Sequence, residues 1–360
     1  MTRSGLVSVV VTILLLVLVV AIVLVPVALS LSDPWGAIST FVAGPISDRR
    51  HFGNIVETAT PLLFTGLAVS LMFRAGMFNL GAEGSFFLGA VGATAAMLLL
   101  PVPAWAPGWV AAGFPIVFGA LTGCVVCLIP GLLRARFGAS ELVSSLMLNY
   151  AALFVGLYVL NYHLRDPNAG GMASFKFPDA ARLPRILDHT HVHAGVIIGL
   201  VLCALGGVYL FATRWGYEAR VVGANPGFAR HLGLPITLVA SVVQLLGGLA
   251  AAAGGAVEVQ GMYLRLQWQS LPGQGWNGLV VAILARNNPW LVPPAAFALS
   301  YLQIGGDMLA RDFDVPSEVV GIVQALVILF ATATALTQNA RLRRLLRPRA
   351  RAGVKATAAE

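Results

Sequence analysis

The sequence predicts an all-α protein, a bundle of about ten membrane-spanning helices, from its composition and from the lengths of its apolar runs. Hydrophobic residues make up 58% of the 360 residues and charged residues only 11%, with a mean hydropathy of +0.83. A soluble domain carries about 25% charged residues. Apolar runs long enough to cross a bilayer follow one another along most of the chain. We therefore expect one integrated helix bundle rather than several soluble domains.

The first predicted span is an apolar run over residues 5–31. It is longer than the apolar part of a signal peptide, which has about 7–15 residues, so we predict a retained N-terminal transmembrane helix within residues 1–31. The eighth run contains the polar, glycine-rich segment QWQSLPGQGWNG, which favours a half-helix or a re-entrant segment. The ten spans are predicted near residues 6–30, 55–73, 79–100, 110–133, 141–161, 193–213, 235–257, 270–285, 290–309 and 317–337.

Basic residues predict how these spans are oriented. The formal net charge is +8, and most of the 23 Lys and Arg residues lie in the tail 338–360 or in short loops on one side of an even number of spans. This distribution is typical of cytoplasmic loops that face membrane lipid, and it does not favour a nucleic-acid surface. We predict both termini in the cytoplasm and the loop 162–192 on the opposite side of the membrane.

A polar stretch interrupts the apolar pattern at residues 73–84, FRAGMFNLGAEG. Polar, broken backbone at membrane depth is tolerated where it is buried in protein or lines a water-filled cavity, so the stretch predicts part of a transport path. Asn79 and Glu83 are four residues apart and share one helix face. Because the charge pattern sets Arg74 at the cytoplasmic edge, Glu83 is expected only a little inside the third span. A gating or packing role for Glu83 therefore stays open beside a substrate contact.

A second polar stripe opens the fifth predicted span. Glu141, Ser145 and Asn149 are spaced by four on an otherwise apolar helix. Two interpretations stand side by side: hydrogen bonds that hold helices together, or a lining of the substrate path. The candidate residues for the substrate path are Asn79, Glu83, Ser145 and Asn149. Small residues also recur every fourth position, which predicts close helix packing at Gly81, Ser85, Gly89 and Ala93, at Gly119 and Gly123, and at Gly247, Ala251 and Gly255.

The loop between the sixth and seventh spans, residues 214–234, is longer than the usual helix connection of about 2–8 residues. Residues 217–222 are predicted to form a short helix that Gly223 and Pro226 break. Two interpretations are an amphipathic helix lying on lipid and a docking element for a cytoplasmic partner.

The sequence gives no support for an enzyme or for a cofactor. It has two lysines, Lys176 and Lys355, and neither follows the glycine pattern of a P-loop, so any ATP must be hydrolysed by a separate chain. The three cysteines lie in apolar runs and are predicted to be buried small hydrophobes rather than a metal site. Alternating histidines at residues 189–193 are predicted to be a solvated loop end rather than a metal site.

The longest motifs resemble one transporter family. FRAGMFNLGAEGSFFLGA, SELVSSLMLNYAAL, GANPGFARHLGLP, LPGQGWNGLVVAILARNNP and VPSEVVGIVQALVILF stand in the order found in permease subunits of bacterial ABC importers for nucleosides and simple sugars. That group belongs to the superfamily of the ribose and branched-chain amino-acid permeases. The resemblance covers about residues 54–337, which it implies to be the permease core. One departure is Ser85, where the family commonly has glutamine.

The resemblance implies a type II importer permease in the bacterial inner membrane. It implies pairing with a second permease or a copy of itself, two cytoplasmic ATPase subunits, and an extracytoplasmic protein that delivers the substrate. The loop 214–234 then resembles the element that couples a permease to its ATPase. Its candidate residues are Tyr217, Glu218, Arg220, Gly223 and Asn225.

Together these features predict a permease subunit that imports nucleosides by alternating access, paired in a heterodimer and driven by separate ATPase subunits. A simple-sugar permease is one alternative. Another is an ion-driven secondary transporter, in which Glu83 and Glu141 would carry protons.

Overall fold

The computed structural model describes residues 33–100 and 107–313, together with residues 321, 322 and 325. Over these residues the chain is helical, and its only β-type pairing is a pair of isolated bridges in the loop before residue 195. The predicted helix 1–31 and the tail 338–360 lie outside the described residues, as does nearly all of the tenth predicted span.

Helices α1 to α12 follow one another along the described chain. A π-helical turn, Leu160–Leu164, extends α6, and 3₁₀ turns lie at Asp179–Ala181 and Pro289–Leu291. The helices are α1 (Pro34–Ser47), α2 (Arg49–Arg74), α3 (Ala82–Leu99), α4 (Gly108–Gly123), α5 (Val125–Phe137), α6 (Glu141–Val159), α7 (Gly195–Ala212), α8 (Arg214–Ala224), α9 (Pro226–His231), α10 (Ile236–Met262), α11 (Gln274–Leu284) and α12 (Val292–Asp312).

Six segments of the described chain are long and apolar enough to cross a membrane, and they coincide with the second to seventh predicted spans. They are α2, α3, α4 with α5, α6 with its π-helical turn, α7 and α10. Helix α11 has 11 residues and is therefore about 16 Å long, roughly half of a hydrocarbon core of about 30 Å. The weak eighth run thus forms a short helix, and α12 corresponds to the ninth run.

Two helices differ from the sequence prediction. Helix α1 was not expected; it begins where the carboxylate of Asp33 accepts a hydrogen bond from the backbone N–H of Gly36 at 2.9 Å, directly before Pro34. Helix α2 begins at Arg49, before the apolar run, so its first residues, 49–54, are a polar extension of the predicted span. Hydropathy marks the apolar part of a helix and not its polar extension.

The centre of the bundle is built from α2, α3, α4 and α10, which pack through small residues. Gly89 of α3 lies against the backbone of Ala252, and Gly255 of α10 lies against the backbone of Phe86. Gly119 of α4 lies against the carbonyl oxygen of Gly89. These close approaches confirm the packing predicted from the four-residue spacing of small residues.

Gly119→Val is expected to destabilise the folded protein by about 1–3 kcal/mol, because the added side chain would overlap the carbonyl oxygen of Gly89, which cannot move aside. Gly113→Val is the matched control: it lies in the same helix, and no atom lies within 4 Å of the position its Cβ would take. Thermal melting of the detergent-solubilised protein, followed by size-exclusion chromatography, would compare the two. Equal melting temperatures would contradict the packing described for α3 and α4.

Candidate functional site

The polar stretch after α2 forms a non-helical break inside the bundle. Helix α2 ends at Arg74, and the chain turns at Gly76, whose φ of +75° is a left-handed conformation that suits glycine. Residues 77–80 have no regular structure, and α3 begins after Gly81. Each free backbone group in this segment needs a partner, because water is excluded from the interior of a membrane bundle.

Asn79 supplies part of this pairing from within the break. Its amide nitrogen donates to the carbonyl oxygen of Cys127 in α5 at 2.6 Å. Its amide oxygen accepts a hydrogen bond from the N–H of Gly81 at 2.8 Å. The fully buried side chain therefore ties the start of α3 to α5.

Ser145 and Asn149 of α6 pair with the same break from the other side. The hydroxyl oxygen of Ser145 accepts from the N–H of Leu80 at 3.0 Å. The amide of Asn149 donates to the carbonyl oxygen of Leu80 at 3.0 Å and accepts from the N–H of Gly84 at 2.9 Å. The four-residue spacing of Ser145 and Asn149 thus matches consecutive backbone groups of the break, and both amide atoms of Asn149 are occupied.

Glu83 joins α3 to the start of the short helix α11. One carboxylate oxygen accepts from the N–H of Gly273 at 2.6 Å and the other from the N–H of Gly275 at 2.5 Å. The carboxylate therefore lies at the positive end of the α11 dipole and pairs with N–H groups that have no partner inside the helix. Glu83 is 1% exposed, so water contributes little to this pairing.

Glu141, at the start of α6, has its own partners. One of its oxygens accepts from Arg134 at 2.8 Å and the other from the side-chain amide of Gln244 in α10 at 2.9 Å. The polar stripe of α6 therefore holds α5, α10 and the break together. This arrangement matches the interhelical interpretation of the stripe, and the substrate-path role of Ser145 and Asn149 stays a prediction.

The break lies some distance along α6 from the start of that helix. Asn149 is eight residues along α6 from Glu141, so Gly84 and Glu83 lie about 12 Å from that end of the bundle. This distance is close to half of a hydrocarbon core of about 30 Å. Glu83 therefore lies inside the bundle, in the first turn of α3.

The candidate coupling residues lie on α8 and at its end. Tyr217 is exposed, and Glu218 pairs with Arg214 at 3.1 Å. The guanidinium carbon of Arg220 lies 5.3 Å from the centre of the Phe211 ring. The side chain of Asn225 accepts from the N–H of Phe228 at 3.1 Å and so caps α9.

Gly223 does not break the helix as predicted. It lies within α8, and the break falls at Asn225. A side chain at Gly223 would overlap the carbonyl oxygen of Arg74 and the backbone of Ala75, and Gly76 faces it. The missing side chain at Gly223 thus lets α8 lie directly on the end of α2, next to the break.

His193 corrects the expectation of a solvated histidine loop. His189 and His191 are exposed, but the ring of His193 is buried against Gly195 and Gly261. Burial lowers the pKa of His193 to about 4, because the charged ring would lose its hydration. The ring is therefore neutral and packs between α7 and α10. The described residues contain no group of three metal-binding side chains.

Three contacts of the site were not predicted from the sequence. Gln244 pairs with Glu141, and the backbone at residues 273–275 pairs with Glu83. Trp268 stacks on Phe86 of α3, with ring centres 5.8 Å apart. A polar residue inside the apolar run of α10 is the one signal that could have indicated Gln244.

Residues 52–332 match the family described as branched-chain amino acid transport system / permease component. The chain belongs to this family. With the six apolar segments, membership makes it a multi-pass membrane permease.

Individual relatives carry more specific names. "Glucose ABC transporter permease protein TsgB13" of Haloferax volcanii is 34% identical over 84% of this chain and 81% of its own length. "Guanosine ABC transporter permease protein NupP" of Bacillus subtilis is 30% identical over 81% of this chain and 83% of its own. "Nucleoside ABC transporter permease protein NupB" of Lactococcus lactis is 27% identical, covering 82% of each chain. The resemblance to nucleoside and sugar permeases noted in the motifs is confirmed.

Proposed function

We propose that this permease is the membrane subunit of an ABC importer for nucleosides. The observation that carries the proposal is the likeness to NupP and NupB over more than four fifths of the chain. The likeness to TsgB13 makes a simple sugar such as glucose the second candidate substrate. ATP is used by separate ATPase subunits, a substrate-binding protein delivers the substrate, and a second permease or a second copy completes the membrane unit.

The contacts of the two glutamates favour an ATP-driven importer over an ion-driven transporter. Both carboxylate oxygens of Glu83 accept backbone hydrogen bonds, and both oxygens of Glu141 accept from side chains. A proton carrier has to gain and lose a proton during transport, which would break these contacts in each cycle. Their occupied oxygens suit a structural role.

We propose that the connection from α8 to the break transmits the motion of the ATPase. The connection runs through neighbouring segments. Gly223 touches the end of α2, and the chain continues through Gly76 into residues 77–81. Hydrogen bonds from Asn79, Ser145 and Asn149 hold that segment in place. Glu83 then connects the start of α3 to the start of α11. In this account the four candidate path residues shape the path by holding its wall.

The topology in the membrane belongs to the same proposal. Ten spans, with residues 54–337 as the permease core, would place both termini in the cytoplasm of a bacterial inner membrane. The coupling loop 214–234 would then face the ATPase, with the loop 162–192 on the periplasmic side.

The substrate is tested by uptake in cells that carry the complete importer and lack other nucleoside transporters. We expect labelled guanosine to be taken up, unlabelled nucleosides to compete, and excess glucose to leave uptake unchanged. A strain without the permease gene is the control. Uptake of glucose that guanosine does not inhibit would replace the nucleoside assignment with the sugar one.

A further inference from the structure

A cavity of about 520 Å³ lies between the loop around residues 169–173 and the segment 263–272. The segment follows the end of α10, which has 27 residues and is therefore about 40 Å long. Because α10 starts next to α9, the cavity lies at the opposite end of the bundle from the coupling loop. Its size is that of a small-molecule site, about 300–1,000 Å³.

The segment that lines the cavity is held in place by backbone pairing. The N–H of Leu266 donates to the hydroxyl of Ser174 at 3.0 Å, and the N–H of Ser174 donates to the carbonyl oxygen of Leu266 at 2.8 Å. The N–H of Phe177 donates to the carbonyl oxygen of Leu264 at 3.0 Å. Non-helical backbone is therefore fixed here without belonging to a sheet.

Aromatic rings give the cavity a rigid wall. Trp268 lines it and stacks on Phe86, with planes 18° apart. Tyr263 also lines it and meets Trp268 edge-on, with ring centres 5.5 Å apart. A ring held in this way can stack on a planar ligand such as a nucleobase at little entropic cost.

The polar lining offers hydrogen-bond donors and acceptors to a ligand, and one of its residues, Arg265, is a cation. Arg265, Gln267, Gln269 and Ser270 line the cavity, and within the described chain none of these side chains has a hydrogen-bond partner. Each glutamine amide offers both a donor and an acceptor, as the edge of a nucleobase requires. The lining contains no carboxylate.

We propose that this cavity binds the nucleoside before it reaches the break, with its base against Trp268 and its polar edges on the two glutamines. The inference rests on the proposed function, whose substrate it places. The position supports it: the same segment runs on through Pro272 to Gly273, where Glu83 holds the start of α11. Pro272, which lines the cavity, is the residue directly before that contact.

Photolabelling tests the site without relying on transport. Membranes that contain the full-length chain are irradiated with 8-azidoguanosine, and labelled peptides are identified by mass spectrometry. We expect label within residues 169–173 or 263–272, which line the cavity, and we expect guanosine but not glucose to displace it. Label elsewhere in the chain, or displacement by glucose as effective as by guanosine, would overturn the proposal.

Substitutions test whether labelling by 8-azidoguanosine depends on the Trp268 ring. Trp268→Ala should reduce labelling at least about fivefold, the lower end expected for one lost stacking contact, and Trp268→Phe should keep most of it. Trp109→Ala, which removes an exposed tryptophan of α4, is the control and should label like the wild type. If Trp268→Ala does not fold, Gln267→Ala with Gln269→Ala replaces it and should also lose label. Unchanged labelling in these variants contradicts the site.

The two proposals fail differently. Specific labelling of residues 169–173 or 263–272 without ATP-dependent guanosine uptake by the complete importer would overturn the transport function and leave the binding site standing. Guanosine uptake with no label in either lining segment would overturn the binding site and leave the transport function standing.

Discussion

Glu83→Ala is expected to lower guanosine uptake by at least about tenfold. The alanine leaves the N–H groups of Gly273 and Gly275 buried without a partner, and each such group costs about 1–3 kcal/mol. The start of α11 then loses the contact that holds it to α3. Glu83→Gln should fall between alanine and wild type, because one amide oxygen still accepts while the amide nitrogen cannot.

The control for this prediction is Asp179→Asn, which removes a carboxylate that is 93% exposed and should leave uptake unchanged. The amount of each variant in the membrane is measured beside its uptake, so that loss of folded protein is separated from loss of transport. Wild-type uptake by correctly inserted Glu83→Ala would contradict the role given to this carboxylate.

Gly223→Ala is expected to lower ATP-driven uptake by at least about tenfold while leaving photolabelling of the cavity intact. Alanine favours a helix over glycine by about 1 kcal/mol, so the substitution would stabilise α8 in isolation. Its methyl group would nevertheless overlap the carbonyl oxygen of Arg74 and the backbone of Ala75. Backbone cannot move aside as a flexible side chain can, so α8 should be displaced from the end of α2.

Gly227→Ala is the matched control in the next helix. The Cβ it adds would lie 3.3 Å from the side-chain oxygen of Asn225 and near no backbone of another helix. Uptake is measured at saturating guanosine for both variants. Normal uptake by Gly223→Ala would show that the contact between α8 and α2 does not transmit motion.

The spans were predictable because lipid imposes a simple requirement on sequence. A helix that crosses hydrocarbon needs a long apolar run, and α2, α3, α6, α7 and α10 have one. The eighth run was marked as unusual by its glycines and polar residues, and it forms the 11-residue helix α11. Helix α1 was not predicted because it has only 14 residues and is about 21 Å long, which is too short for a span.

Only the polar side chains of the candidate site could be predicted from the sequence. Its polar residues could be found because Asn79, Glu83, Ser145 and Asn149 stand out in apolar runs. Their partners could not be found, because the backbone groups that Glu83 binds lie about 190 residues away and leave no local pattern. For the same reason the sequence indicated a helix break at Gly223, whose purpose is a contact with a distant segment.

Transport by purified components tests most directly whether the permease belongs to an ATP-driven nucleoside importer. The permease, its partner permease and its ATPase are reconstituted in proteoliposomes with the cognate binding protein, and labelled guanosine is followed across the membrane. We expect accumulation that requires ATP and the binding protein and that persists when ion gradients are collapsed. Accumulation without ATP that follows an imposed proton gradient would contradict it.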